Sequence, residues 1–281
     1  MHNEIFFTDK DIHDFKIALI SDIHYYPEFK QKTFDRLIRQ IKKKRADYIV
    51  IAGDTLDSSD ITDLEKLERF FRELASICPT FIVKGNHDEK KGTAHNWTQN
   101  KNIKFTQLIK GIENMYYLED KALTVNNITF YGFEMTYDYY EVEEERYDSF
   151  CKEMENIHPH LSDSTYNVTI FHSPINIYDF IRLNSQHNLS KSDLILSGHM
   201  HNGCLPFLLS HLINKLFKTS RGILSPTREF FPKYAQGRVY ERDGYVYEGV
   251  TKVSHSTKSL HVLDMFFRKN VEFLTIKKRD K

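Results

Sequence analysis

The sequence predicts an α/β domain built on a mainly parallel sheet, and three observations carry that expectation. Short apolar runs alternate with amphipathic segments through the first half of the chain, the pattern of strands joined by crossover helices. Five of the runs lead straight into clusters of Asp, His, Asn and Gly. No fixed-period repeat and no linker divides the 281 residues, so a single domain over 1–281 is expected.

Taken in order, residues 15–21 (FKIALIS) form the first of these strands and end at Asp22-Ile23-His24. Phe34, Leu37, Ile38 and Ile41 then recur at helical spacing. A second strand at 48–52 (YIVIA) meets Gly53-Asp54, and Leu64, Leu67, Phe70, Phe71 and Leu74 mark the next helix. The strand at 80–83 (TFIV) leads to Gly85-Asn86-His87-Asp88. Asn126-Asn127 between two apolar runs predicts a hairpin over 122–133. Residues 141–157 read as a charged, helix-like segment with a solvated face. Strands at 167–171 and 193–196 deliver His172 and Gly198-His199-Met200-His201. Residues 205–240 read as a long loop region holding at most one helix, and final strands are expected at 246–253 and 259–276.

Composition limits the function classes. Lys plus Arg equals Asp plus Glu at 39 each, so the electrostatic footprint of a nucleic-acid-binding protein is missing and nucleic acid is not an expected partner. Cys78, Cys151 and Cys204 are too widely and irregularly spaced for a disulfide framework or a thiolate zinc site, which suggests a reducing compartment. Residues 1–10 lack a charged-then-apolar signal pattern, and no run is long enough to span a bilayer. A cytoplasmic location follows as the expectation. The apolar stretch 205–217 contains Ser210, His211, Asn214 and Lys215; a helix packed on the domain is the first reading, and peripheral contact with a membrane the second.

In open α/β sheets ligands bind beyond the carboxyl ends of strands, so the five polar clusters are expected to converge. Carboxylate, imidazole and amide oxygen form the ligand set of a first-row divalent metal centre and offer little for nucleophilic attack by the protein itself. Asp22 and His24, read as alternate residues of an extended strand, would face one side. Gly53 and Gly85 would let the backbone turn tightly beside the ions. His158-Pro159-His160 follows a charged segment without partners and reads as surface. Trp97, Tyr25, Tyr26, Tyr137, Tyr139 and Tyr140 read as core or rim.

In sequence order, D-x-H at Asp22–His24, G-D-x-x-D at Gly53–Asp57, G-N-H-D at Gly85–Asp88, His172 and G-H-x-H at Gly198–His201 together resemble the calcineurin-like metallophosphoesterases. That resemblance covers residues 15–201 and implies a four-layer α/β/β/α sandwich of two mixed sheets flanked by helices. It implies one metal held by Asp22, His24, Asp54 and His201 and a second held by Asp54, Asn86, His172 and His199, with Asp54 bridging. It also places His87 beside the leaving group, with Asp88 orienting it. The expected reaction is hydrolysis of a phosphodiester or phosphomonoester by in-line attack of a metal-bound hydroxide, using two divalent ions, Mn²⁺ first and Fe, Zn or Co as alternatives.

A narrower resemblance, to the bacterial YkuE/YaeI-like branch, rests on Gly198-His199-Met200-His201-Asn202-Gly203, Pro206 and Lys233-Tyr234-Ala235-Gln236-Gly237. Asn202 replaces a glycine and Cys204 a glutamine of that pattern. The branch points to a small-molecule or lipid-linked phosphoester as substrate. The competing readings are a nuclease of the same superfamily and a metal-binding scaffold without catalysis.

Overall fold

The computed structural model describes residues 3–91, 98–134, 160–173, 191–199, 237–241, 244–248 and 271–280. In chain order these contain β1 (Asn3–Thr8), β2 (Phe15–Ile20), α1 (Gln31–Lys44), β3 (Tyr48–Ala52), α2 (Glu65–Ile77) and β4 (Thr80–Val83). They continue through a two-residue ribbon, β5 (Lys90–Lys91) with β6 (Thr98–Gln99), then α3 (Ile103–Lys110), β7 (Met115–Tyr117), β8 (Lys121–Val125) and β9 (Ile128–Gly132). The remaining strands are β10 (Tyr166–Ile170), β11 (Leu194–Leu196), β12 (Gly237–Glu241), β13 (Gly244–Glu248) and β14 (Glu272–Lys278).

Two six-stranded sheets result, ordered β1-β14-β2-β3-β4-β7 and β12-β13-β11-β10-β9-β8. Both are mixed. β2, β3, β4 and β7 run parallel, while β14 lies antiparallel to β2 and parallel to β1. In the second sheet β9, β10, β11 and β13 run parallel between the antiparallel edges β8 and β12.

Period-two alternation decides which side chains fill which layer. Ala18, Ile20, Ile49, Ile51 and Ile82 point outward from the first sheet and pack under α1 and α2. Ile17, Leu19, Val50, Phe81 and Val83 point inward and meet Phe130, Val168, Ile170, Leu194 and Leu196 of the second sheet. Phe81 and Phe130 stack at 3.9 Å between centroids across that interface.

The helices form for local reasons as well. α1 buries Phe34, Leu37, Ile38 and Ile41 along one stripe, and Lys42, Lys43 and Lys44 sit in its last turn, where cations favour the helix dipole. α2 buries Leu67, Phe70, Phe71 and Leu74, and Phe70 stacks on Phe34 at 4.1 Å. α3 starts where the Asn102 side chain accepts from Phe105 N–H, an N-cap.

The α/β sandwich of two mixed sheets with flanking helices agrees with the expected fold; β2 to β4, β10 and β11 fall within a residue of their expected bounds, and α1 and α2 carry the expected apolar stripes. The predicted hairpin is β8–β9, with Asn126 and Asn127 at φ 50° and 65°, as a tight two-residue turn requires. Within 259–276 only 271–276 are described, and of these 272–276 enter β14. β12 replaces part of the expected loop, and β1, α3 and β7 had no counterpart in the sequence reading. The segments 141–157 and 205–217 lie outside the described residues. No described helix is long and apolar enough to cross a membrane.

Candidate metal centre

The carboxyl ends of β2, β3 and β4 in one sheet and of β10 and β11 in the other deliver six expected residues to one buried place. Asp22, His24, Asp54 and His172 are fully buried, and Asn86 and His199 nearly so. His24 Nε2 lies 3.7 Å from Asp54 Oδ2 and 4.0 Å from Asp22 Oδ1. From the other sheet, His172 Nε2 lies 3.2 Å from the same Asp54 Oδ2 and 3.2 Å from His199 Nδ1. Asp22, His24 and Asp54 bring ligand atoms within 4.8 Å of one another, and so do Asp54, His172 and His199. Asp54 belongs to both groups. His201 lies outside the described residues.

Asp22 and His24 are not alternate residues of an extended strand, as the sequence had suggested. β2 ends at Ile20, and both residues hold positive φ, 51° and 45°. Their amides donate to the carbonyls of Gly53 and Asp54 at 3.1 and 3.0 Å, so the loop after β2 is zipped to the loop after β3. Asp54 at 49° and His199 at 68° share the left-handed backbone. Non-glycine residues there are strained, and strain of this kind gathers at functional sites.

Glycine makes the close approach feasible. A Cβ on Gly53 would lie 2.5 Å from His172 Nδ1, and one on Gly85 would lie 2.3 Å from Asp54 Oδ1. Gly53 also carries φ 81°. Both glycines therefore do more than ease a turn: they leave the volume that the ligand side chains occupy.

The donor set fits a divalent cation. His172 Nδ1–H donates to the Ala52 carbonyl at 2.7 Å, which fixes the tautomer and directs Nε2 into the centre, the usual arrangement of a metal-binding histidine. Asn86 Oδ1 is buried with no hydrogen-bond partner among the described residues. An orphaned buried acceptor costs about 1–3 kcal/mol unless something else satisfies it, and a hard cation is a suitable partner. Charges without metal tell the same story. Burial pushes Asp22 up to about 7, with Asp54 adding to the rise. For Asp54 burial works upward too, yet His172, His87 and His24 hold its carboxyl well below the usual range. His172 rises to about 9, since the Asp54 carboxylate outweighs its burial. In the metal-free protein a proton on His172 thus does part of the work of a cation.

His87 stands beside this centre, its ring edge-on to His24 at 4.7 Å between centroids. Its Nδ1 is held by the Asp57 carbonyl at 2.8 Å, and its amide donates to Asp54 Oδ1 at 2.9 Å. Asp88 does not orient it. The Asp88 carboxylate accepts from three backbone amides, those of Gly85, Thr55 and Leu56, at 2.9, 3.2 and 2.7 Å. Those bonds consume both oxygens and staple the loop after β3 to the loop after β4. Burial, then the nearby Asp54 charge, pushes Asp88 up to about 6 despite the three amides.

Two supporting residues escaped the sequence reading of the site. Asp57 holds His87 through its carbonyl and sets its carboxylate 3.8 Å from His24 Nδ1; it closes the G-D-x-x-D run, which was the available signal. Ser21 Oγ donates to Asp22 Oδ2 at 2.6 Å, and His199 N–H reaches both Asp22 oxygens at 3.1 Å. Tyr25 is core, His160 is exposed, and Trp97, His158, Tyr137, Tyr139 and Tyr140 lie outside the described residues.

Among the described residues, the two sheets each bring carboxylate, amide or imidazole groups into one buried centre, a donor set that suits a divalent metal ion. The chain belongs to the calcineurin-like phosphoesterase family, whose profile matches residues 15–203. It is 24% identical over 235 residues to an uncharacterized metallophosphoesterase of Helicobacter pylori, covering 82% of this chain and 56% of that one. It is 25% identical over 210 residues to another from Aquifex aeolicus, covering 75% and 72%. The chain thus spans little more than half the length of the Helicobacter pylori relative. Among solved structures, a dimetal phosphatase from Danio rerio aligns at 12% identity over 86% of this chain and 89% of that one, with a TM-score of 0.44.

Proposed function

We propose that the chain hydrolyses a phosphodiester or phosphomonoester with two divalent ions, one held by Asp22, His24, Asp54 and His201 and the other by Asp54, Asn86, His172 and His199. The observation that carries this reading is the membership of Asp54 in two ligand groups, one completed from the first sheet and one from the second. Two such ions, when bound, supply Lewis-acid polarisation, neutralisation of phosphoryl charge and a water acidic enough to attack near neutral pH.

The residues of the chain do the rest. The Asp22 and Asp54 carboxylates are fully buried, where electrostatic attraction is strong. His87, whose Nδ1–H donates to the Asp57 carbonyl, would hand a proton from Nε2 to the departing oxygen only as the imidazolium, with both ring nitrogens protonated. Ser21 and the His199 amide hold the Asp22 carboxylate in a fixed orientation.

The proposal extends to substrate and place. A small or lipid-linked diester follows from the YkuE/YaeI-like features at 198–203 and 233–237, with peripheral membrane contact through 205–217. The buried free thiol of Cys78 supports a reducing, cytoplasmic setting. Manganese is the first metal to test.

Metal-stripped protein should be inactive towards paired chromogenic mono- and diesters and should recover turnover on adding Mn²⁺. Asp54→Asn should lose at least about 100-fold, a floor set by the losses that outer-shell changes alone produce at metal sites. Turnover that survives both treatments refutes the assignment, and the diester-to-monoester ratio tests the substrate class.

A further inference from the structure

A second group of buried charges lies where the two sheets meet, just beyond β4. Lys84 is 5% exposed. Its ammonium lies 3.5 Å from Glu89 Oε1, 3.9 Å from Glu134 Oε1 and 5.0 Å over the Tyr117 ring. Tyr117 OH donates to Glu134 Oε1 at 2.9 Å. Glu89 is also 5% exposed, and its Oε1 makes no hydrogen bond among the described residues.

The placement of these groups matters more than their number. Lys84 and Glu89 bracket the loop Gly85–Asp88, which presents Asn86 and His87. Tyr117 comes from β7 of the first sheet, whereas Glu134 follows β9 of the second. The sheets are in close contact at this point, since a Cβ on Gly132 would lie 2.2 Å from Leu118 Cβ and 2.8 Å from Val83 Cγ1.

Burying a lysine is costly, and apolar residues of similar volume commonly fill such a place with equal or better stability. Stability alone therefore gives little reason for this hub. What the charges add is direction: one ammonium, carried at one end of a short loop and drawn to the other end and to the opposite sheet, fixes that loop's position relative to the opposite sheet.

We infer that Lys84 is a positioning residue, whose contacts with Glu89 and Glu134 hold the Asn86–His87 loop at the distance from His172 and His199 that one of the two cation sites needs. The inference rests on the dinuclear reading above. Asn86 is the only ligand of that site carried by this loop, so a displaced loop weakens one cation site and leaves the site of Asp22 and His24 largely intact.

Calorimetric titration of the metal-stripped protein with Mn²⁺ tests this directly, beside thermal unfolding. Wild type should bind two ions. Lys84→Met, which keeps the aliphatic stem, should bind one as before and the other about 10–100-fold more weakly, the range seen for outer-shell losses; Lys84→Arg should recover most of it. Glu134→Gln, which keeps an acceptor for Tyr117, should weaken the same site by a smaller factor and serves where Lys84→Met does not fold. Two unchanged sites in whichever of these variants folds, with only a lowered melting temperature, would show a merely structural cluster and overturn the inference. A wild type that binds fewer than two ions overturns the dinuclear reading itself, a result read before any variant is made.

Discussion

Replacing Asp88 distinguishes a staple from an orienting acid. The side chain is fully buried, and its two oxygens receive three amide protons, from Leu56 on Oδ1 and from Thr55 and Gly85 on Oδ2. Each buried donor left unsatisfied costs about 1–3 kcal/mol, so Asp88→Ala should destabilise the fold by roughly 3–6 kcal/mol after partial relaxation. That is a large share of the roughly 5–15 kcal/mol that holds most domains together. Asp88→Asn is milder. Its carbonyl can take the place of Oδ2 and keep two donors, while its amide faces Leu56 N–H and loses one bond, for about 1–3 kcal/mol. Urea unfolding of the metal-stripped proteins measures the loss, and turnover with Mn²⁺ is read on the same samples below the transition. The staple predicts a lower urea midpoint for Asp88→Asn. An unchanged midpoint with a collapsed kcat would refute it and return Asp88 to the side of His87.

Two further perturbations follow from the same geometry. Gly85→Ala should abolish Mn²⁺ binding, because its methyl group claims the space of Asp54 Oδ1, and should cost about 1–3 kcal/mol in overpacking; Gly111→Ala, whose Cβ comes no closer than 3.1 Å to any atom, should keep binding intact and is the control for the titration. Burial pushes Glu134 up to about 7, against the opposing pull of the Tyr117 hydrogen bond and Lys84, so from about pH 4.5 to 7 the folded protein keeps a proton that the unfolded chain releases. Stability from this group is present below that window and declines as pH rises through it. The urea midpoint of Glu134→Gln should therefore fall less between pH 5 and 7.5 than that of wild type, and parallel profiles would contradict the assignment.

Much of this architecture is legible in the chain because its signals are local. Tyr48-Ile-Val-Ile-Ala is apolar at every position and is buried on both faces, as a central parallel strand must be. The stripe of Phe34, Leu37, Ile38 and Ile41 can face only a core. Non-local order is harder to read: nothing in residues 272–278 says that the last strand inserts between β1 and β2, parallel to one and antiparallel to the other. The residues that gather at the centre were legible by type and order, yet their backbone was not. Asp22 and His24 look like alternate strand positions until pairing with Gly53 and Asp54 carries both to positive φ. Asp88 shows the same limit, since adjacency to His87 in the chain says nothing about two amides arriving from the loop after β3 and a third from its own loop. Most of β12 was read as loop because Pro206, Pro226 and Pro232, with scattered aromatic and basic residues, break up the pattern of 205–240.

The left-handed backbone at Asp22, His24, Asp54 and His199 gives the decay of such a site a direction. Outside glycine, and to a lesser degree Asn and Asp, that conformation costs roughly 1–2 kcal/mol per residue. Where metals bind as proposed, their ligand bonds would offset the strain. A lineage that stopped binding metal would keep the strain and lose the compensation, so glycine or asparagine at positions 24 and 199 would spread by improving the fold alone. β-branched residues would be purged from the same positions. Under the proposed function, loss of metal binding in descendants of this chain would thus be marked by glycine and asparagine at these backbone positions before any drift in the surrounding core.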